Sequence, residues 1–267
     1  LPVVCWLMLR ALVRSLYYLH KRKPSRVITT GGAIAIPLCA AAKILRIPME
    51  VYELNVQPGK AVVCIAPYVN KINICFNKTA ELLPSGACVK ADYPVRFGEQ
   101  DKRARRDPGQ LGLDPSKKTI FVLGGSQGSQ FINSAMMRFV RTNGLLTSQI
   151  NIIHQTGAGD PKELQEAYAQ YGVPAYVFNY ADNLSIYYNL ADMVISRAGS
   201  GALFELLFFN KISLIIPLET QRDAHQYVNA CEMATLHKHL FTVLRQNVIL
   251  RDNAVLGYTI ASILRIT

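Results

Sequence analysis

TIFVLGGSQGSQFINSAMMRFV, residues 119–140, is the stretch whose reading decides the fold. Five residues of strand, TIFVL, give way to Gly124, Gly125, Ser126, Gln127 and Gly128. A helix then follows, with Phe131, Ala135 and Phe139 at the spacing of one apolar face. At such a junction the first helical N–H groups have no internal partner, and the helix dipole places about half a positive charge there. Glycines allow positive φ and let an anion approach the backbone, and the Ser126 hydroxyl adds a donor for a phosphate oxygen. The spacing is neither the dinucleotide fingerprint GxGxxG nor the P-loop pattern GxxxxGK[ST]. A hydride-transfer enzyme and a P-loop ATPase are therefore disfavoured, while a tight strand-to-helix turn without a ligand remains open.

Outward from this stretch, short apolar runs alternate with helical segments. SRVITT precedes a helix through LCAAAKILR; MEVYEL, KINICF, INIIHQT, AYVFNY, DMVIS and SLIIPL read as further strands. Strands alternating with helices predict parallel sheets covered on both faces. The polar stretch GEQDKRARRDPGQLGLDPSKK, residues 98–118, breaks the pattern and reads as a linker. It predicts domains over 1–98 and 99–267.

With 50% hydrophobic residues in 267, the chain has enough material for a full core and is not of disordered type. A formal charge of +11 favours anionic partners such as nucleotides, nucleic acid or an acidic membrane surface. Nucleic acid is the least favoured, because the basic residues fall in the linker and a helix end without interleaved stacking aromatics. The six cysteines show no CxxC spacing and fit reduced, apolar positions. The N-terminal LPVVCWLMLRALVRSLYYLHKRKP is too short in its apolar part to span a bilayer, which takes roughly 20 residues. Arg10, Arg14 and Lys21 fall on one face of a helix with a basic end. Its two readings are an ordinary packed helix and a helix lying on an anionic membrane surface.

A second glycine loop follows DMVIS: Arg197, Ala198, Gly199, Ser200 and Gly201 lead into a helix through Ala202, Leu203, Phe204 and Glu205. An acid in an otherwise apolar helix needs a partner. A ribose diol would suit Glu205, through bonds worth roughly 1.5–3 kcal/mol each; the alternative is a carboxylate aiding the first helical turn. Arg197 reads either as a surface salt bridge or as a guanidinium facing phosphates under the loop. After SLIIPL, RDAHQYVNA begins another helix, with Asp223 as a cap and Gln226 on the first turns. Two such loops and this helix start on one strand-end crevice describe a nucleoside-diphosphate pocket. The chain has no D-x-D, so no metal and no cofactor are expected; backbone dipoles and arginine would neutralise the diphosphate.

Together, GGSQGSQFIN, SRAGSGALFE and DAHQYVNA resemble the MurG family, which transfers GlcNAc from UDP-GlcNAc to the polyprenyl-linked acceptor lipid I. The resemblance runs from about residue 19 to 235 and implies an α/β GT-B fold of two Rossmann-like domains with parallel sheets. It implies an acceptor domain, incomplete here, over 1–98 and a UDP-GlcNAc domain over 99–267, at the cytoplasmic face of the bacterial inner membrane. Carried over by position, Gly125, Ser126 and neighbouring amides meet the diphosphate, and Asn133 closes that motif. Arg197 and the run Ser200, Gly201, Ala202, Leu203, Phe204 and Glu205 form the second nucleotide loop, with Glu205 on the ribose. Gln226 reaches the sugar or nucleotide, and the backbone of Ala181, in YADNL, reads uracil. Arg96, in YPVR, resembles the arginine of the family's NPVR; Glu53 and Asn55, in YELN, fit its HEQN, and Glu53 is the candidate catalytic base.

The first third departs from the family. It lacks the opening GGTGGH, and the second glycine stretch keeps only Gly31 and Gly32. Tyr52, Tyr93 and Val62 stand where the family has histidine, asparagine and asparagine. Donor recognition is thus better supported than catalysis, and a UDP-sugar-binding module without autonomous activity is the alternative reading.

Overall fold

The structure, a computed structural model, describes residues 2–83, 87–125, 128–158, 160–219 and 225–266. The chain forms two compact units, Leu1–Pro94 and Val95–Thr267.

The first unit holds α1 (Pro2–Arg22), β1 (Val27–Thr29), α2 (Ala35–Ile44), β2 (Met49–Glu53), α3 (Lys60–Ile65), β3 (Lys71–Ile74) and β4 (Cys88–Lys90). Its strands form a parallel sheet in the order β1-β2-β3-β4. Leu12, Leu16 and Leu19 recur at helical spacing along α1 and pack toward the core of Val27, Ala41, Ala42, Val51, Ile72 and Ile74. The rest of α1 leaves Val3, Trp6, Leu9, Val13 and Tyr17 exposed. No helix among the described residues is long and apolar enough to cross a membrane.

The second unit continues with β5 (Lys118–Leu123), α4 (Gln130–Thr142), α5 (Gly144–Thr147), β6 (Ile150–Gln155), α6 (Pro161–Gln170), β7 (Ala175–Phe178), α7 (Ser185–Leu190), β8 (Met193–Ser196), α8 (Ser200–Phe208), β9 (Ser213–Ile215), α9 (His225–Leu236), β10 (Phe241–Val243), α10 (Gln246–Arg251) and α11 (Ala254–Leu264). Its six parallel strands run β7-β6-β5-β8-β9-β10, which, counted from β5, is the doubly wound order 3-2-1-4-5-6. The order reverses between β5 and β8, the position where open α/β sheets bind ligands beyond the strand ends. Ile132, Ala135, Met136, Phe139 and Val140 of α4 cover the sheet, so Ala135 and Phe139 of the expected apolar face are buried, while Phe131 is only half-buried at the edge of that core. Truncating Phe139 to alanine there would cost about 3–5 kcal/mol.

The stretch read as a linker is instead packed onto the second unit. Asn189 Nδ2 donates to the carbonyls of Asp101 and Ala104 at 2.7 and 2.9 Å, while Leu111 and Leu113 are buried. Phe97 also belongs here, stacked on Phe208 and edge-on to Phe209 and Tyr188. Aromatic packing thus draws the start of the unit back to Val95.

Candidate functional site

Three strand ends form the floor of the site. Leu123 of β5 is level with Gln155 of β6 on one side and Ser196 of β8 on the other, and all three line a cavity of about 860 Å³. The walls are the two loops that leave β5 and β8. In the first, Gly125 has φ +82°, the left-handed region that favours glycine, and its carbonyl accepts from Gly128 N at 2.9 Å. Ser129 then caps α4, its Oγ accepting from Ile132 N at 3.3 Å. In the second loop, Gly199 stands at the N-cap of α8. Two helix N-termini therefore flank the cavity, each with unsatisfied N–H groups and the positive end of its dipole.

Arg197 ties these loops together. Its Nε donates to Ser129 Oγ at 3.0 Å, and its Nη1 donates to the carbonyls of Ile216 and Pro217 at 3.1 and 3.2 Å and to Gln246 Oε1 at 2.5 Å. Burial lowers its pKa to about 10, which leaves the guanidinium charged at neutral pH. Its partners are hydroxyl, carbonyl and amide oxygens with no carboxylate among the described residues, so the side chain lies beneath the loop and is not a surface salt bridge. Gln226 plays a similar part from α9: its Oε1 accepts from Ala198 N at 3.3 Å and Leu218 N at 3.0 Å.

On α8, residues four or three apart share a face, so Gly201, Ala202 and Glu205 line the cavity. Leu203 turns the other way and is fully buried in the core. Ser200 and Phe204 are on the helix but not among the lining residues. Glu205 Oε1 accepts from Arg96 Nε at 3.0 Å, and its Oε2 accepts from Tyr188 Oη at 2.9 Å.

Asn133 lies one layer behind the cavity. Its Oδ1 is 3.1 Å from His154 Nε2 and its Nδ2 donates to the Thr156 carbonyl at 3.4 Å. Because Oδ1 only accepts, Nε2 carries the imidazole proton, and His154 Nδ1 accepts from Tyr168 Oη at 2.7 Å. The ring is fully buried, and desolvation brings its pKa down to about 3.

Of the residues singled out in sequence, the second unit thus brings Arg96, Gly125, Ala181, Arg197, Gly201, Ala202, Glu205 and Gln226 to one cavity. Ser126 and Asp223 lie outside the described residues. Glu53 and Asn55 belong to the first unit, at the end of β2. There the buried Glu53 carboxylate accepts from Asn55 N and Nδ2 through Oε1 at 3.0 and 3.2 Å, and from Gly59 N through Oε2 at 2.9 Å. Both oxygens brace the loop after β2, a different geometry from that of an open general base. Sequence reasoning missed Ser129, Gln155, Tyr188 and Gln246. Ser129 had a signal, a serine placed directly before a helix; the other three are set by tertiary contacts. Gln155 is buried on the cavity floor, and its Oε1 has no hydrogen-bond partner among the described residues.

Two Rossmann-like parallel-sheet units, one with a glycine-lined cavity at its switch point, define a protein of the GT-B class. Residues 119–252 match the glycosyltransferase family 28 C-terminal domain, and residues 2–74 match the glycosyltransferase family 28 N-terminal domain. The chain belongs to glycosyltransferase family 28.

Among its relatives is the UDP-N-acetylglucosamine--N-acetylmuramyl-(pentapeptide) pyrophosphoryl-undecaprenol N-acetylglucosamine transferase of Protochlamydia amoebophila, 34% identical over 84% of this chain and 59% of the relative. The enzyme of the same name from Synechocystis is 34% identical over 84% of this chain and 61% of the relative. The chain therefore spans about three fifths of the length of the curated relatives it matches. The crystal structure of Acinetobacter baumannii MurG superposes with a TM-score of 0.76 at 21% identity, over 96% of this chain and 70% of that one.

Proposed function

We propose that the second unit binds UDP-GlcNAc in the 860 Å³ cavity and that the protein transfers GlcNAc, with inversion, to lipid I to form lipid II for peptidoglycan synthesis. The observation that carries this reading is the convergence of two helix N-termini, Arg96 and the fixed Arg197 on a crevice at the switch point of the sheet. That arrangement suits a diphosphate leaving group. When the acceptor C4 hydroxyl attacks the anomeric carbon, negative charge grows on UDP, and oriented backbone dipoles stabilise it without reorganising. Glu205 suits the ribose, the backbone of Ala181 the uracil, and Gly125 with Ser126 the phosphates. Gln226 and Gln246 stand where the sugar or nucleotide would be gripped. The relatives' names, which specify the same donor sugar and acceptor, support the choice of substrate.

The exposed side of α1 supports a peripheral position on the cytoplasmic face of an anionic bacterial membrane. Val3, Trp6, Leu9, Val13 and Tyr17 are exposed, and Arg10 and Lys21 lie over the rings of Trp6 and Tyr17 at 5.4 and 5.6 Å. An apolar strip interleaved with cations suits headgroups and the acyl boundary beneath them.

One observation favours a second reading, UDP-sugar binding without transfer: Glu53, the candidate base, is bonded through both oxygens to its own loop. Calorimetric titration with UDP-GlcNAc, followed by a transfer assay on a lipid I analogue, tests both readings. Saturable binding lost in Glu205→Ala, with turnover, is the result expected of the transferase. Binding without turnover would support the module, and unchanged affinity in Glu205→Ala would remove the pocket assignment.

A further inference from the structure

The Glu205 carboxylate is held from two sides that differ in kind. Arg96 lines the cavity and its side chain is 44% exposed, so Oε1, which it contacts, is the oxygen on the ligand side. Tyr188 is fully buried and is not among the lining residues, so Oε2, which it contacts, is the oxygen on the core side. The tyrosine ring has little freedom: it stacks on Phe209 at 4.8 Å and meets Phe121 and Phe97 edge-on at 5.4 and 6.0 Å. Its hydroxyl remains a donor throughout the working pH range, because burial first and then the Glu205 charge raise its pKa well above the usual phenol value.

We propose that Tyr188 is the positioning residue for ribose recognition: its hydroxyl pins Glu205 so that one oxygen faces the cavity, and Arg96 occupies that oxygen until a nucleotide diol takes it. The proposal rests on the reading of the cavity as a UDP-sugar site. A free glutamate side chain on a helix samples several rotamers, and a ligand would have to order it on binding. With Tyr188 in place that ordering is already done, and the carboxylate meets the hydroxyls in one orientation. Arg96, released from Glu205, keeps its charge beside the site, where a phosphate can accept from it.

The test uses UDP and 2′,3′-dideoxy-UDP as calorimetric probes of the full chain. Tyr188→Phe keeps the ring and its stacking while removing the hydroxyl. Expected is a loss of about five- to tenfold in UDP affinity, the worth of one ordinary hydrogen bond, because the carboxylate remains and only its positioning is lost, with dideoxy-UDP affinity unchanged. An equal loss for both probes would mark Tyr188 as merely structural and overturn the proposal, as would no change for either. A second arm places Tyr188→Phe in a Glu205→Ala background, where the hydroxyl has no carboxylate to hold. UDP affinity should then be the same with tyrosine or phenylalanine, and a further loss of the original size would also overturn the proposal. If the unsubstituted protein fails to bind UDP, the cavity reading itself falls; if it binds UDP and dideoxy-UDP equally, only the ribose assignment and this proposal fall.

Discussion

Gly128 lies directly against Gly157, the two backbones pairing in an isolated antiparallel bridge where the glycine loop after β5 meets the end of β6. A Cβ at Gly128 would fall 2.2 Å from the Thr156 carbonyl oxygen and 2.9 Å from Gly157 Cα, and the residue has φ +74°. Both obstacles are backbone and cannot swing aside. Gly128→Ala is expected to cost roughly 2–4 kcal/mol in urea denaturation and to displace the loop, lowering UDP-GlcNAc affinity as well. A variant as stable as the parent would show that the loop can move away from β6 without cost.

His154 makes stability depend on pH. Its pKa is about 3 in the folded chain and near 6.5 when unfolded, so the fold excludes the charged ring. The unfolded state therefore binds more protons between these values, and stability is full above pH 6.5 and declines as pH falls toward 3. The slope approaches about 1.4 kcal/mol per pH unit, which amounts to about 1.5 kcal/mol between pH 6.5 and 5 because the slope is only half as steep at pH 6.5. His154→Gln should be less stable at pH 7.5 yet lack this share of the slope. Equal slopes in the two proteins would assign the acid sensitivity to other groups.

Arg197 is a geometric part as well as a charge. Its four bonds reach Ser129, the loop after β9 at Ile216 and Pro217, and Gln246 at the start of α10, a spread that a single ammonium does not reproduce. Arg197→Lys should destabilise the second unit by about 2–3 kcal/mol, because the carbonyls of Ile216 and Pro217 lose their donor. UDP affinity should fall with it. Thermal melting and titration of the same preparation check both outcomes.

The exposed strip of α1 gives a prediction about membranes. Replacing Trp6 and Tyr17 by serine removes apolar contact, while Arg10→Glu with Arg14→Glu reverses the charge. Either double variant should bind phosphatidylglycerol vesicles at least about tenfold more weakly in sedimentation. The charge-reversed one should also lose most of its salt dependence. Vesicle binding indifferent to both changes would leave α1 an ordinary packed helix. None of these side chains is in the core, so the fold should be unaffected.

The strands with strong apolar runs, from Val27 to Ile215, were legible because buried parallel strands leave continuous hydrophobic stretches, and the two glycine loops because a strand meeting a helix at glycine has few other uses. Cys88–Lys90 and Phe241–Val243 were not legible: each is a three-residue strand at a sheet edge, defined by the neighbour it pairs with and not by its own pattern. Residues 98–118 are polar enough to read as a linker, and it takes distant partners to show where they are held: Asn189, 85 residues beyond Ala104, and Asn151, which bonds Asp114.

The site divides in the same way. Sequence alone determined that VLGGSQG and SRAGSG each end a strand and open a helix, because glycine spacing and helix polarity are local properties of the chain. Tertiary structure alone decided that Asn133 faces His154 and that Glu205 is fixed by Tyr188 on one side and Arg96 on the other. Those pairings join residues up to 109 positions apart. A carboxylate's partner across such a distance is set by the sheet order and by packing around it, and neither is written in the residues beside it.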